Sequence, residues 1–277
     1  MDVAYYGMPG SYTHQAANQL DIKDINLISC RTFRETFDML DSGRAAMAVV
    51  PAENSTTGAI SDVCRLLYER NVSITNELLL DIEHCLAASP QTSLEDITAV
   101  YSHPQGLEQT AVFLAKHPQW DKVPFFDTAA SAAEVALNQK NNTAAITSEY
   151  AACVYGLHVL EKNISDNRNN ATRFIVLEKG TEKCAVNADK TSLIAVVDHK
   201  PGSLYAMLKA FAGAGVNMLR LDSHPIPGKP WEYMFFIDIE GTIAADDIKN
   251  AVQAAALNAS HMRMLGSYVS QALDKEN

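Results

Sequence analysis

The chain has 277 residues, 47% hydrophobic and 20% charged, a length and composition that suit two domains with substantial cores. Its formal net charge of −11 excludes a nucleic-acid partner, because little here would neutralise a phosphate backbone. A small anionic substrate would have to be held by local donors against an unfavourable overall field.

In chain order, Val3–Tyr6 reads as a strand and Thr13–Leu20 as a helix. Thr32–Leu40 is helical, followed by the apolar run Ala46–Pro51 and a helix over Ala59–Glu69. Ile74–Leu80 is extended, Ala99–Tyr101 is a strand, and Gln105–Lys116 is a helix that buries Phe113 and Leu114. Pro124–Phe126 precedes the helix Ser131–Asn138, and Thr143–Ile146 precedes the helix Ser148–Tyr155. Strands alternating with helices predict an α/β architecture with mainly parallel sheets. The polar, irregular stretch Glu178–Ala188 is the expected linker. Beyond it, the strand Thr191–Val197, the helix Ser203–Ala214 capped by Gly215, and the strands Val216–Ser223 and Glu232–Glu240 follow in turn. The helix Ala245–Leu257 and the strand Arg263–Val269 complete a βαββαβ module.

Four strands are followed by Ser/Thr/Gly-rich loops that open helices: Gly10–Thr13, Glu53–Gly58, Ser102–Gln105 and Thr128–Ser131. Singly, each is an ordinary capping loop. Together they predict a sheet edge where helix N-termini present free N–H groups to a small anion. The eight histidines show no metal-ligand spacing, so neither metal nor other cofactor is expected. The five cysteines (Cys30, Cys64, Cys85, Cys153, Cys184) are odd in number and never spaced as CxxC, which fits a reducing compartment. The opening Met1–Gly7 has neither a basic region nor a long apolar stretch, and no segment reaches the length of a membrane span. A cytoplasmic protein without a membrane partner is expected.

The segment Asn163-Ile164-Ser165-Asp166, followed by Asn170-Ala171-Thr172-Arg173-Phe174, resembles the signature of prephenate dehydratases. Tyr6–Ala17 is similar to that family's N-terminal glycine loop, Val50–Ser55 with Gly58 to its P-x-E-N-S motif, and Tyr101–Gln105 with Gln109 to its S-H-P-Q helix start. Five ordered motifs span the whole length. The resemblance implies two α/β lobes around a cleft, as in a type-2 periplasmic binding protein, then a ferredoxin-like ACT domain. The implied catalytic domain is 1–180, with lobe one at 1–76 and 163–177 and lobe two at 77–162; the ACT domain is 190–277. Every catalytic motif precedes Lys183, so a chain ended there is expected to keep activity.

The implied reaction is loss of CO2 and water from prephenate to give phenylpyruvate in phenylalanine biosynthesis. The electrons come from the breaking C–CO2 bond, so the site needs a donor to the departing hydroxyl and positioning for two carboxylates rather than a strong base. The resemblance puts Thr172 in the donor's place. Arg173 is either a carboxylate anchor or part of a structural ion pair, and Phe174 packs beside the ring. Asn170, Ser11, Glu53, Asn54, Ser55, Ser102, Gln105 and Gln109 are the further substrate contacts it implies. Read alone, Ser11 and Ser102 are equally plain N-caps, Glu53–Ser55 a capping loop, and Gln105 and Gln109 surface amides one helical turn apart.

In the ACT module, Gly202-Ser203-Leu204 and Asp222-Ser223-His224-Pro225 stand at the family's amino-acid effector positions, with His224 where relatives carry Arg. L-phenylalanine is the implied effector, with a pH-dependent response centred on His224, and a homodimer or homotetramer the implied assembly. Arogenate dehydratase and a non-catalytic amino-acid sensor are the alternative functions.

Overall fold

In the computed structural model, residues 1–138 and 142–271 are described, and the last six residues of the expected ACT domain lie outside them. Five strands form first: β1 (Asp2–Tyr6), β2 (Asn26–Cys30), β3 (Met47–Asn54), β4 (Gly58–Ala59) and β5 (Val72–Asp81). The chain then crosses to a second sheet with β6 (Cys85–Ala88), β7 (Ala99–Ser102), β8 (Asp121–Pro124), β9 (Thr143–Thr147) and β10 (His158–Glu161). It returns to the first as β11 (Ala171–Lys179). The first sheet runs β2-β1-β3-β11-β5 with β4 against β3, and the second runs β10-β6-β9-β7-β8.

The sheets are mixed, not mainly parallel. β2, β1 and β3 are parallel, as are β9, β7 and β8, but the returning strand β11 pairs antiparallel with both β3 and the outgoing β5, and β6 pairs antiparallel with β9 and β10. Two crossings between lobes require this, since the outgoing and returning strands lie side by side.

Helices α1 (Tyr12–Asn18), α2 (Phe33–Asp41) and α3 (Ser61–Glu69) cover the first sheet. Helices α4 (Pro104–Glu108), α5 (Ala111–Leu114), α6 (Thr128–Asn138) and α7 (Glu149–Val154) belong to the second. Side-chain caps set several starts: Ser11 accepts from His14 N, Thr32 from Glu35 N and Ser148 from Ala151 N. The helix expected over Gln105–Lys116 is broken at Thr110. Asp166 intervenes there, its N–H donating to the Gln109 carbonyl (2.7 Å) and its carboxylate accepting from Val112 N (3.1 Å). Thr110 also turns its hydroxyl back onto the Gly106 carbonyl (2.8 Å).

The last third forms β12 (Lys190–Val196), α8 (Ser203–Gly213), β13 (Met218–Pro225), β14 (Tyr233–Glu240), α9 (Asp246–Ala256) and β15 (His261–Tyr268). The antiparallel sheet order is β13-β14-β12-β15. Leu193, Ala195, Ile237 and Ile239 pack under α8 and α9. Alternate residues (Ile194, Val196, Phe236, Leu265, Tyr268) turn the other way and share one core with Ala4, Phe37, Leu66 and Ile74 of the first lobe. Contact is close enough that a Cβ on Gly266 would collide with the Ile74 carbonyl, and Ser73 Oγ donates to the Leu265 carbonyl at 2.6 Å. The stretch 178–188 is correspondingly tied down: Glu178 is still paired within β11, Lys183 N donates to Ser73 Oγ, and Cys184 bridges to Ser267.

Candidate active site

The two crossings run side by side, and a cavity of about 320 Å³ opens between the lobes beside them. Each of the four helix-start loops contributes to it: Ser11, Tyr12 and Thr13; Asn54 and Thr57; His103 and Gln105; and Thr128. Gln109 joins from the end of α4, and Ile82, His84, Asn170, Thr172 and Phe174 come from the crossings and β11. Among the described residues no Lys or Arg lines the cavity, and the one carboxylate that does, Asp127, already caps α6 by accepting from Ala129 N (2.7 Å) and Ala130 N (3.2 Å).

Thr172 is 8% exposed, and its geometry follows from the β3–β11 register, which sets it opposite Asn54. Asn54 Oδ1 accepts from the N–H groups of Thr56 (3.0 Å) and Thr57 (3.1 Å). These two backbone donors decide which end of the amide is oxygen. Asn54 Nδ2 therefore faces Thr172 and donates to its Oγ1 at 2.9 Å, with Asn170 Oδ1 2.7 Å from the same nitrogen. With an oxygen lone pair so engaged, the Thr172 proton is free for an acceptor in the cavity, and the incoming bond polarises the O–H. Phe174, fully buried, lines the cavity together with Pro51.

Across from Thr172, Gln109 Oε1 stands 2.9 Å from His84 Nε2, and Tyr12 Oη lies 3.2 Å from His84 Nδ1 while donating to the Glu83 carbonyl at 2.6 Å. Burial depresses the His84 pKa, with the Gln109 bond acting the other way, so the imidazole is neutral near pH 7. Burial likewise raises the Tyr12 phenol well above its usual range, with Cys85 and Glu83 adding to the effect. No sequence motif singled out His84, whose place on the first crossing emerges only from the topology. Tyr12 lies within the N-terminal glycine-loop motif, which by itself implies no role for it.

Four expected contacts lie elsewhere. Glu53 and Arg173 occupy the opposite face of the same strands, because side chains alternate along β3 and β11. Arg173 pairs there with Glu53, Glu77 and Asp238, the structural ion pair that was its alternative reading. Ser102 is fully buried and donates to the Ile146 carbonyl (2.8 Å), while Ser55 accepts from Ala171 N (2.9 Å). Neither serine lines the cavity.

In the last domain Gly202 caps α8 with a left-handed backbone (φ 83°), a conformation that favours glycine, and Ser203 and Leu204 open that helix. Asp222 and His224, at the end of β13, turn the other way. His224 is buried against Phe236 with its Nε2 unpartnered, and burial holds its pKa below the usual value, Asp222 opposing and Arg220 assisting. Burial therefore moves any pH response of His224 below the imidazole's ordinary value.

Comparison with known proteins decides the family. A family model for prephenate dehydratase matches residues 3–182, and one for the ACT domain matches residues 191–257. The chain belongs to the prephenate dehydratase family. It is 36% identical to the bifunctional chorismate mutase/prephenate dehydratase of Escherichia coli K12, covering 97% of this chain and 71% of that protein. It is 32% identical to the Arabidopsis thaliana chloroplastic arogenate dehydratase/prephenate dehydratase 2, over 96% of this chain and 72% of the relative. Among solved structures, the prephenate dehydratase of Arthrobacter aurescens in complex with L-Phe superposes with a TM-score of 0.88 at 30% identity, covering 98% of this chain and 90% of that one. A protein described as GqqA, a novel type of quorum quenching acylase, matches with a TM-score of 0.89 at 30% identity, covering 98% of both chains. The fold is that of prephenate dehydratases: a two-lobed catalytic unit like periplasmic binding proteins, followed by an ACT domain. Among the described residues no helix is long and apolar enough to cross a membrane.

Proposed function

We propose that the inter-lobe cavity takes prephenate and that Thr172 is the donor to its departing hydroxyl. The observation that carries this is the fixed Asn54 amide, which donates to Thr172 Oγ1 at 2.9 Å and leaves the hydroxyl proton facing a cavity that no described Lys or Arg lines. As the C–CO2 bond breaks, its electrons enter the ring and the C4–OH bond cleaves. The hydroxide leaves as water with a proton from Oγ–H that solvent later restores, and aromatisation drives the step. The carboxylates are met by neutral donors: Gln105, Gln109, Asn170 and the first-turn N–H groups at Tyr12 and Thr13, which have no acceptor within their own helix. Pro51, Ile60 and Phe174 flank the ring. The keto acid is favoured over the amino acid arogenate, since Asp127 is committed to α6 and the cavity offers an ammonium group no other carboxylate.

The ACT domain takes L-phenylalanine as effector, in keeping with the Arthrobacter aurescens relative having been solved in complex with L-Phe. The ligand sits between two copies, near Gly202–Leu204 of one and the end of β13 of the other. β13 is an edge strand with Leu219 and Leu221 exposed, which suits edge-to-edge pairing into a homodimer or homotetramer. With five free cysteines, the protein works in the cytoplasm.

The test is to incubate the pure protein with prephenate and with arogenate. Phenylpyruvate from the first at a much higher kcat/KM than phenylalanine from the second is expected. Turnover of arogenate alone, or of neither, would overturn the reading.

A further inference from the structure

Behind the cavity lies a second polar cluster, buried between the two domains. Arg173 Nη1 stands 3.3 Å from Glu77 Oε2 and 3.0 Å from Asp238 Oδ2, and Lys190 Nζ reaches Glu77 Oε1 at 2.6 Å. Arg220 of β13 lies 2.5 Å from Asp222 and 3.9 Å from Asp238. Burial opposes the Arg173 charge, but Asp238, Tyr268, Glu77 and Glu53 outweigh it and hold the guanidinium protonated.

Glu53 joins the two arginines. Its Oε2 is 3.5 Å from Arg173 Nε and 3.5 Å from Arg220 Nε. The Nε of Arg173 and Nη2 of Arg220 are buried without a hydrogen-bond partner, so the contact around Glu53 is not fully closed in this arrangement. Glu53 and Arg173 are also the immediate chain neighbours of Asn54 and Thr172. In β3 and β11 the pair Glu53–Arg173 and the pair Asn54–Thr172 are successive rungs of one ladder, facing opposite sides. A displacement of Glu53 therefore shifts the Asn54 rung and the bond that aims the Thr172 hydroxyl.

We infer that Arg220, in the ACT domain, is a positioning residue of the dehydratase site, acting through Glu53 on the Asn54–Thr172 rung. It touches no substrate. Its effect falls on the placement of the hydroxyl, and so on kcat more than on KM. The inference rests on the assignment of Thr172 as donor. It gives β13, whose end carries the expected effector segment, a route of three side chains to the reacting centre.

The experiment measures kcat and KM for prephenate with the full chain in four forms: wild type, Arg220→Gln, Asn54→Ala, and the double variant. Near-ultraviolet circular dichroism checks folding. Arg220→Gln is expected to lower kcat about tenfold with KM within about threefold, and Arg220→Lys to restore much of the loss. In the Asn54→Ala background, where the hydroxyl is no longer held by the rung, Arg220→Gln should cost less than about twofold. Should Arg220→Gln fail to fold, Glu53→Gln/Arg220→Gln, which removes opposite charges together, takes its place in the cycle. An unchanged kcat in a folded variant, or losses that multiply in the double variant, would overturn the inference. Absence of turnover by wild type would instead strike the assigned reaction.

Discussion

Thr172 and Arg173 are adjacent in sequence and face two different environments. On the Thr172 side the lobes enclose an open cavity lined by hydroxyls, amides and the imidazoles of His84 and His103, with no Lys or Arg among the described residues. On the Arg173 side the domains close over a largely buried cluster of arginines, a lysine and carboxylates, where Glu77 is fully buried. The basic residue of the T-R-F signature thus serves the domain junction, and the neutral one serves the cavity. Under the proposed function a dianionic substrate is held without Lys or Arg, which suits a reaction in which one carboxylate must leave as neutral CO2. Salt-bridging that carboxylate tightly would stabilise the ground state more than the transition state.

The comparison can be broken most severely by removing the ACT domain. Motif order suggests that a chain ended near Lys183 suffices, but the shared core predicts otherwise. Such a fragment exposes Leu66, Ile74 and the Arg173–Glu77 pair at once. Its expected outcome is little soluble protein, and no cooperative transition in a urea titration. Next in size is Arg173→Gln, which leaves Glu77 and Asp238 short of a counter-charge. A loss of about 3–5 kcal/mol is expected from chemical denaturation. A cost below about 1 kcal/mol would show that the cluster is not a clamp.

A smaller effect concerns regulation. In Arg220→Gln, L-phenylalanine should still bind by calorimetry, because the proposed effector positions are Gly202–Leu204 and the end of β13, which Arg220→Gln leaves in place. The fraction of activity removed at saturation should fall by about half or more if Glu53 carries the signal. Unchanged inhibition alongside unchanged binding would place the coupling elsewhere. The smallest effect is on pH. Burial depresses the pKa of His14, His84 and His224, so each binds its proton less readily folded than unfolded. Stability is then constant above the unfolded value of about 6.5 and declines as pH falls below it. Thermal melts from pH 8 to 5 should show that decline, and His224→Phe should flatten part of it.

Much of this layout is legible in the sequence, and the parts that are not have definite causes. The capped loops and the alternating pattern reveal the βα units, and four loops that look like simple caps meet in one cavity. β6 is missed because Cys85–Ala88 has weak strand propensity and is a strand only through its neighbours β9 and β10. The break at Thr110 is invisible because Asp166, which causes it, is more than fifty residues away. The misplacement of Glu53 and Arg173 has a simpler origin. Both sit in the motifs, and only the period-two alternation of a strand says that adjacent motif residues face opposite sides. His84 carries no local signal; the crossing from β5 to β6 places it beside Gln109 and Tyr12.

The division between a cavity face proposed to carry the chemistry and a charged face at the domain junction is tested most directly at Thr172. Thr172→Val keeps shape while removing the hydroxyl, so kcat for prephenate should fall by about 10²–10⁴-fold with KM within a few fold. The urea midpoint should shift by no more than that expected for about 1–2 kcal/mol, the cost of the lost Asn54 bond. Thr172→Ser, which restores the hydroxyl without the methyl, should recover most of the rate. A folded Thr172→Val enzyme with near-normal kcat would contradict the account.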